Sequence, residues 1–105
     1  MTPTAFVAVL LIHLHFPDTG DLKGKRKHLQ SVKAQLHGRL GAAVCEVDHQ
    51  DLWQRATLAA ALTATSPARL EAAADNLERW LDARFPDCVR VERTLASIED
   101  LAGIP

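Results

Sequence analysis

Four of five consecutive positions early in the chain carry cationic side chains: Lys23, Lys25, Arg26 and Lys27. Apolar residues then recur at steps of three and four from Leu29 to Leu40, which predicts a helix with Asp21 as its N-cap. Cations in the first turn of a helix cost roughly 0.3–1 kcal/mol each when exposed, because that end already carries partial positive charge. The same end attracts anions through its unpaired N–H groups. We therefore expect the four cations to contact phosphates.

A structural role for these cations is the alternative, since surface ion pairs are common although each contributes only ~0–1 kcal/mol. Arg26 could pair with Glu46 or Asp51, and Lys25 could lay its aliphatic stem on the edge of the core. Helical spacing turns the other two cations outward. The best candidates for an external anion are therefore Lys23 and Lys27.

Two histidines, His13 and His15, alternate along an apolar run and so share one face of a strand, as a pair of metal ligands would. Cys88 could come near them, but the sequence has no ligand spacing typical of a metal site elsewhere, so we expect no metal. The sequence shows no spacing of residues that would place a general base beside a nucleophile, and it contains no glycine-rich phosphate loop. We therefore expect a protein that is not an enzyme and that uses no cofactor.

The composition is that of an ordinary globular domain. The 105 residues are 48% hydrophobic and 24% charged, which predicts one domain spanning residues 1–105. Two cysteines lack the density of a disulfide scaffold, so we expect both to be reduced. The N-terminal apolar run is too short to span a bilayer and lacks the features of a signal peptide. We expect a cytoplasmic protein that does not associate with membranes.

Charge is divided unevenly along the chain, although the net charge is −1. Residues 1–40 carry six Lys and Arg against two acidic residues, a net +4, whereas residues 41–105 carry six against eleven, a net −5. Such a division can produce one basic surface on a nearly neutral protein. Only 5% of the residues are aromatic, which disfavours a surface built to stack several bases.

Hydrophobic periodicity predicts six elements, the strands at 5–16, 42–48, 55–65 and 88–96 and the helices at 22–40 and 67–85. A loose C-terminal tail is expected over about 97–105. The order β-α-β-β-α-β is that of the α+β, ferredoxin-like split βαβ fold. Right-handed crossovers then give a four-stranded antiparallel sheet in the order 4-1-3-2, with both helices on one face.

The other sheet face, which we call the open face, follows from the alternation of side chains along the strands. Antiparallel pairing collects four polar side chains at one end of it: His13, His15, Arg55 and Arg90. Valines and alanines cover the rest. This arrangement predicts a small-anion pocket and, as a second role, a homodimer formed through the open face.

Two motifs resemble those of the YlxP-like family of bacterial proteins, the domain of unknown function 503. They are Asp21-Leu-Lys-Gly-Lys-Arg and the segment 45–56, which reads Cys-Glu-Val-Asp-His-Gln-Asp-Leu-Trp-Gln-Arg-Ala. The family pattern is Ser-Leu-Lys-acid-Lys-Arg followed by Ala-Glu-Val-x-x-x-Asp-x-x-Gln-Arg-Ala. Asp21 replaces the common Ser and still caps the helix, whereas Gly24 replaces the acid and makes this segment more cationic.

The resemblance covers nearly the whole chain and implies a ferredoxin-like fold without an established activity. It also implies frequent encoding beside ribosome-binding factor A and the translation initiation factor that recruits initiator tRNA. We therefore expect a non-catalytic RNA- or ribosome-associated module, with rRNA or a ribosomal subunit as partner and Arg55 adding to the phosphate contacts. The expected structural residues are Asp21, Glu46, Asp51, Trp53 and Gln54.

Trp53 has two interpretations. It either packs as an anchor under a turn that Asp51 caps, or it is exposed and offers a surface for base stacking.

Overall fold

The computed structural model describes residues 4–17, 20–48, 52 and 54–103. It contains four strands, β1 (Phe6–His15), β2 (Ala43–Asp48), β3 (Arg55–Ala64) and β4 (Val89–Ser97), and three helices, α1 (Leu22–Leu40), α2 (Pro67–Arg84) and α3 (Ile98–Ala102). Within these ranges, no helix is both long enough and apolar enough to cross a membrane.

The sheet confirms the predicted strand order, since β2, β3, β1 and β4 lie side by side and every pair is antiparallel. β1 is a central strand that pairs along its length with β3 on one side and β4 on the other. Its last residues, His13 and His15, face Thr57 and Arg55 of β3, and His13 also faces Arg90 of β4.

The core lies between the sheet and the helices α1 and α2. Alternate residues of β1 from Ala8 to Leu14 are buried, as is Phe16 just after the strand, and they join buried residues of both helices in one apolar cluster. The two helices therefore cover the same sheet face, as predicted. The helical contributions to this cluster are Leu29, Val32, Leu36, Leu70, Ala74, Leu77 and Leu81.

The two long helices begin and end where the sequence predicts. The Asp21 carboxylate accepts a hydrogen bond of 2.7 Å from the Gly24 N–H, and the Ser66 hydroxyl caps α2 by accepting one of 3.2 Å from the Arg69 N–H. α1 ends at Gly41, which has the left-handed φ of 69° and donates its N–H to His37 at 3.1 Å.

The chain after β4 differs from the loose tail predicted over 97–105. Ser97 and Asp100 form a reciprocal capping box, with hydrogen bonds of 2.9 and 3.0 Å, that starts the short helix α3. The Ile98 N–H also donates to the Ala5 carbonyl at 2.9 Å, which ties this helix to the beginning of β1. The last two residues, 104 and 105, lie outside the described part.

An ion-pair group joins β4 to α2 on the covered face. Arg93 donates to Asp75 at 2.9 Å and also to Glu78. Burial lowers the pKa of Arg93, but the hydrogen bonds to the two carboxylates outweigh it, so the pKa of the guanidinium is raised. The edge strand is therefore held to the helix by charge as well as by packing.

Two glycines near the end of α1 should respond in opposite directions to alanine. Gly38→Ala should raise the free energy of unfolding by about 0.5–1 kcal/mol, because alanine has the higher helix propensity and an added Cβ meets no atom within 4 Å. Gly41→Ala should lower it by about 1–2 kcal/mol, because φ is left-handed there. Urea unfolding of both variants measures the difference, and equal effects would contradict the assigned helix end.

Candidate functional site

Three of the four clustered cations at the start of α1 are exposed: Lys23, Arg26 and Lys27. Lys25 differs, because only 1% of its surface is accessible. It lies on the buried stripe with Leu29 and Val32, which follow it by four and seven residues. Lys25 is therefore removed from the predicted set of surface phosphate contacts.

The predicted internal pairing of Arg26 is not observed where the structure describes both partners. No ion pair joins Arg26 to Glu46, which lies on β2 opposite Leu58 and is partly buried. The reason is helical rotation, since Lys25 takes the inward position and its neighbour is turned toward solvent. Asp51, the other predicted partner, lies outside the described residues.

The second sequence motif is described only in part. Trp53, like Asp51, lies outside the described residues. Gln54 is exposed, and its carbonyl accepts a hydrogen bond of 2.7 Å from the Phe16 N–H. This bond extends the pairing of β1 and β3 by one step past the last residue of the strand.

A cleft of about 470 Å³ opens where β1 ends and where β3 and β4 begin. We call it the cationic cleft. It is lined by the four side chains that the topology brings to this end of the open face, His13, His15, Arg55 and Arg90, together with Thr57, Asp87 and Cys88. Guanidinium and imidazole groups around one depression can donate several hydrogen bonds to a small oxyanion.

Some of the charge in the cationic cleft is already paired. Arg90 donates to Glu92 at 2.7 Å, and His13 Nε2 lies 3.4 Å from the other oxygen of this carboxylate. The hydrogen bond from Arg90, and to a smaller extent the one with His13, holds the pKa of Glu92 below its ordinary value of 4.5. Thr57 Oγ1 lies 3.3 Å from His13 Nδ1. Arg55 forms no ion pair within the described ranges, so it is the cation most available to a ligand.

A second cleft of about 340 Å³ lies beside the first, and we call it the aromatic cleft. Its walls combine the end of β1, the second turn of α1 and the end of α2, and they are formed by Phe16, Pro17, His28, Arg84, Phe85 and Pro86, with His15 and Cys88 shared between the two clefts. Sequence reasoning missed this site. The available signal was that Phe16 and Phe85 each end a predicted apolar stripe.

Rings in the aromatic cleft are ordered by contacts with one another. The His28 ring stacks on Phe16 with centroids 5.9 Å apart, and Phe85 meets Phe16 edge to face at 5.8 Å. The Arg84 guanidinium lies 5.5 Å from the Trp80 ring centre and 6.0 Å from that of Phe85.

Part of the open face away from the cationic cleft is apolar. A shallow groove of about 260 Å³ follows β2, β3 and β1, and we call it the apolar strip; it is lined by Val9, Ala43, Val44, Cys45, Ala59, Ala60 and Ala61. Val9 is 40% exposed.

The described ranges contain no group of three or more His, Cys, Asp or Glu residues that could hold a metal ion. Cys45 and Cys88 are both free thiols.

Comparisons with known proteins agree with the fold and leave the activity open. The family described as "Protein of unknown function (DUF503)" matches residues 7–100. The uncharacterized protein YlxP of Bacillus subtilis (strain 168) is 28% identical over 82 residues, which is 78% of this chain and 85% of that protein. The de novo designed protein Foldit4 superposes with a TM-score of 0.56 at 10% identity, covering 88% of this chain and 96% of the design.

Removing one partner of Glu92 should reveal the charge pairing in the cationic cleft. In Arg90→Gln, the Glu92 pKa should rise toward 4.5, because the first cause of its depression is gone. A carboxylate whose pKa is lower in the folded than in the unfolded state stabilises the fold at pH values above its unfolded-state pKa. This contribution is lost as the pH falls from 4.5 through the folded-state pKa of Glu92. The stability difference between the variant and the wild type should therefore disappear in acid.

Carboxylate ¹³C NMR titration measures the Glu92 pKa directly. Arg69→Gln, at an exposed arginine in the first turn of α2, is the matched control and should leave this pKa unchanged. An unchanged Glu92 pKa in Arg90→Gln would contradict the pairing.

Proposed function

This chain belongs to the DUF503 family of proteins of unknown function, and we propose that it is a cytoplasmic, non-catalytic module that associates with RNA or the ribosome. Its phosphate contacts are made by the start of α1. The observation that carries the proposal is the exposure of Lys23, Arg26 and Lys27 in a first turn and a half that contains no acidic side chain.

Electrostatics explains why these cations suit an external anion. In the described part of the chain none of the three forms an ion pair, so their charge is not neutralised internally. Each is mildly unfavourable beside the helix N-terminus, and a bound phosphate removes that cost while it accepts hydrogen bonds. Flexible lysines read the backbone charge of a nucleic acid and carry no base specificity.

Arg55 is a further exposed cation, on the sheet. It is exposed at the start of β3, and it forms part of the cationic cleft. We propose that Arg55 adds a further phosphate contact, whereas Lys25 serves the fold.

A second candidate function is a homo-oligomeric regulatory or interaction domain that binds a small anion on its open face. It is favoured by the combination of two features on that face, the cationic cleft at one end and the apolar strip beside it. A second copy lying on the apolar strip would remove Val9 from water and leave the cationic cleft at the margin of the interface.

The RNA proposal predicts a change in salt dependence. Lys23→Ala combined with Lys27→Ala should weaken binding to ribosomal RNA and reduce the slope of log K against log salt by about two, roughly one for each phosphate that the variant no longer neutralises. Filter binding of purified rRNA and of ribosomal subunits over a range of salt concentrations measures this slope.

The matched control is Arg69→Ala combined with Arg79→Ala, which removes the same charge from exposed positions on α2. The control should lose far less affinity and keep the slope. Wild-type protein that binds neither rRNA nor subunits at low salt would overturn the proposal, as would equal losses in the two double variants.

The oligomer candidate predicts concentration-dependent sedimentation. Val9→Lys should convert the protein to a monomer, because it places a charge on the apolar strip, whereas Ala72→Lys on the exposed side of α2 should not. Sedimentation equilibrium distinguishes the two variants, and a wild-type protein that is monomeric at every concentration would exclude this candidate.

A further inference from the structure

We infer that the cationic cleft and the aromatic cleft together bind one unpaired nucleotide, with its phosphate in the cationic cleft and its base in the aromatic cleft. This inference rests on the phosphate-binding role proposed above for this end of the molecule, and it names the chemical unit that is recognised. Lys23 and Lys27 line neither cleft, so the two proposals can be tested apart.

The two clefts are adjacent, because His15 and Cys88 line both of them. His15 is the last residue of β1 and Phe16 follows it, and their side chains point to opposite sheet faces. Two backbone hydrogen bonds hold these residues in place. The His15 N–H donates to the Cys88 carbonyl at 2.9 Å, and the Phe16 N–H donates to the Gln54 carbonyl at 2.7 Å. A ligand that passes around His15 can therefore enter both clefts.

The cationic cleft suits the phosphate. Two guanidinium groups and two imidazoles line it, against the single lining carboxylate of Asp87. Arg90 and His13 are engaged by Glu92, which leaves Arg55 and His15 as the groups that face a ligand without a charged partner among the described residues. Arg binds phosphate oxygens in a bidentate fashion, which fixes the orientation of the ligand.

The aromatic cleft suits the base. His28 stacks on Phe16 with one face of its ring and is itself exposed, so its outer face is open to a second ring. The Arg84 guanidinium is positioned by the rings of Trp80 and Phe85 and by a hydrogen bond of 3.2 Å to Ser31 Oγ. Imidazole rings and guanidinium planes are both surfaces on which unpaired bases stack.

Charge and size together select this class of ligand. Each cleft falls within the range of about 300–1,000 Å³ that is usual for ligand sites. A simple oxyanion would occupy only the cationic cleft, and an apolar molecule would leave Arg55 without a counter-charge. A nucleotide carries its charge and its planar ring at opposite ends, as the two clefts require.

The experiment compares three probes on the intact protein: adenosine 5′-monophosphate, adenosine and inorganic phosphate. Heteronuclear NMR titration gives a dissociation constant for each. The nucleotide should bind more tightly than either part, and it should shift resonances of both His15 and His28, whereas phosphate should shift those of His15 alone.

Two variants divide the contributions. His28→Ala should weaken binding of the nucleotide by roughly fivefold to a hundredfold, the range typical of base–aromatic stacking, and should leave phosphate binding unchanged. Arg55→Gln should weaken binding of both nucleotide and phosphate. Gln30→Ala, two positions along α1 and exposed, is the matched control and should change neither.

The inference is overturned if the nucleotide binds no more tightly than phosphate, if His28→Ala leaves nucleotide binding unchanged, or if none of the probes binds. A single-stranded pentanucleotide distinguishes the sources of the ligand, since tighter binding than the mononucleotide identifies an RNA chain and equal binding identifies a free nucleotide. If the Lys23→Ala and Lys27→Ala double variant bound rRNA as tightly as the wild type while the nucleotide still bound, only the proposed role of the α1 start would be excluded.

Discussion

The pairing of β1 with two neighbours at once is the constraint on which the rest of the structure depends. Because β1 is hydrogen-bonded to both β3 and β4, its alternation decides which side chains of three strands share a face. One face is buried under α1 and α2, and the other carries the histidines and arginines of the cationic cleft. A shift of the register by one residue would exchange the two sets, so the buried apolar face also fixes the position of the histidines.

The same constraint explains how far the sequence could predict the site. Alternation in β1 places His13 and His15 outward, and antiparallel pairing then brings Arg55 and Arg90 beside them, which needs no knowledge of side-chain conformations. The strand order follows from the order of the elements and the handedness of the crossovers. Helix α3 is not predicted by hydrophobic periodicity because it is a single short turn, although Ser97 and Asp100 have the spacing of a capping box.

Which side chains of α1 face the core was harder to predict than which side chains of the strands do. A lysine in a cationic cluster is ordinarily expected in solvent, yet Lys25 continues the apolar stripe of Leu29, Val32 and Leu36 and is buried with them. A buried ammonium group requires hydrogen-bond partners, and no buried side-chain nitrogen or oxygen in the described part lacks one. The aromatic cleft was missed for a related reason, since it depends on how His28 of α1 and Arg84 of α2 meet at the end of a strand.

The bulge in β2 has a consequence for how the protein behaves in a crowded solution. β2 is an edge strand, and its pairing with β3 becomes irregular between Glu46 and Asp48. A bulge and acidic side chains at a sheet edge both discourage the addition of a strand from another chain. The opposite edge, β4, carries Arg90, Glu92 and Arg93. Charged side chains on both edge strands therefore disfavour the edge-to-edge association of sheets that leads to amyloid-like aggregates.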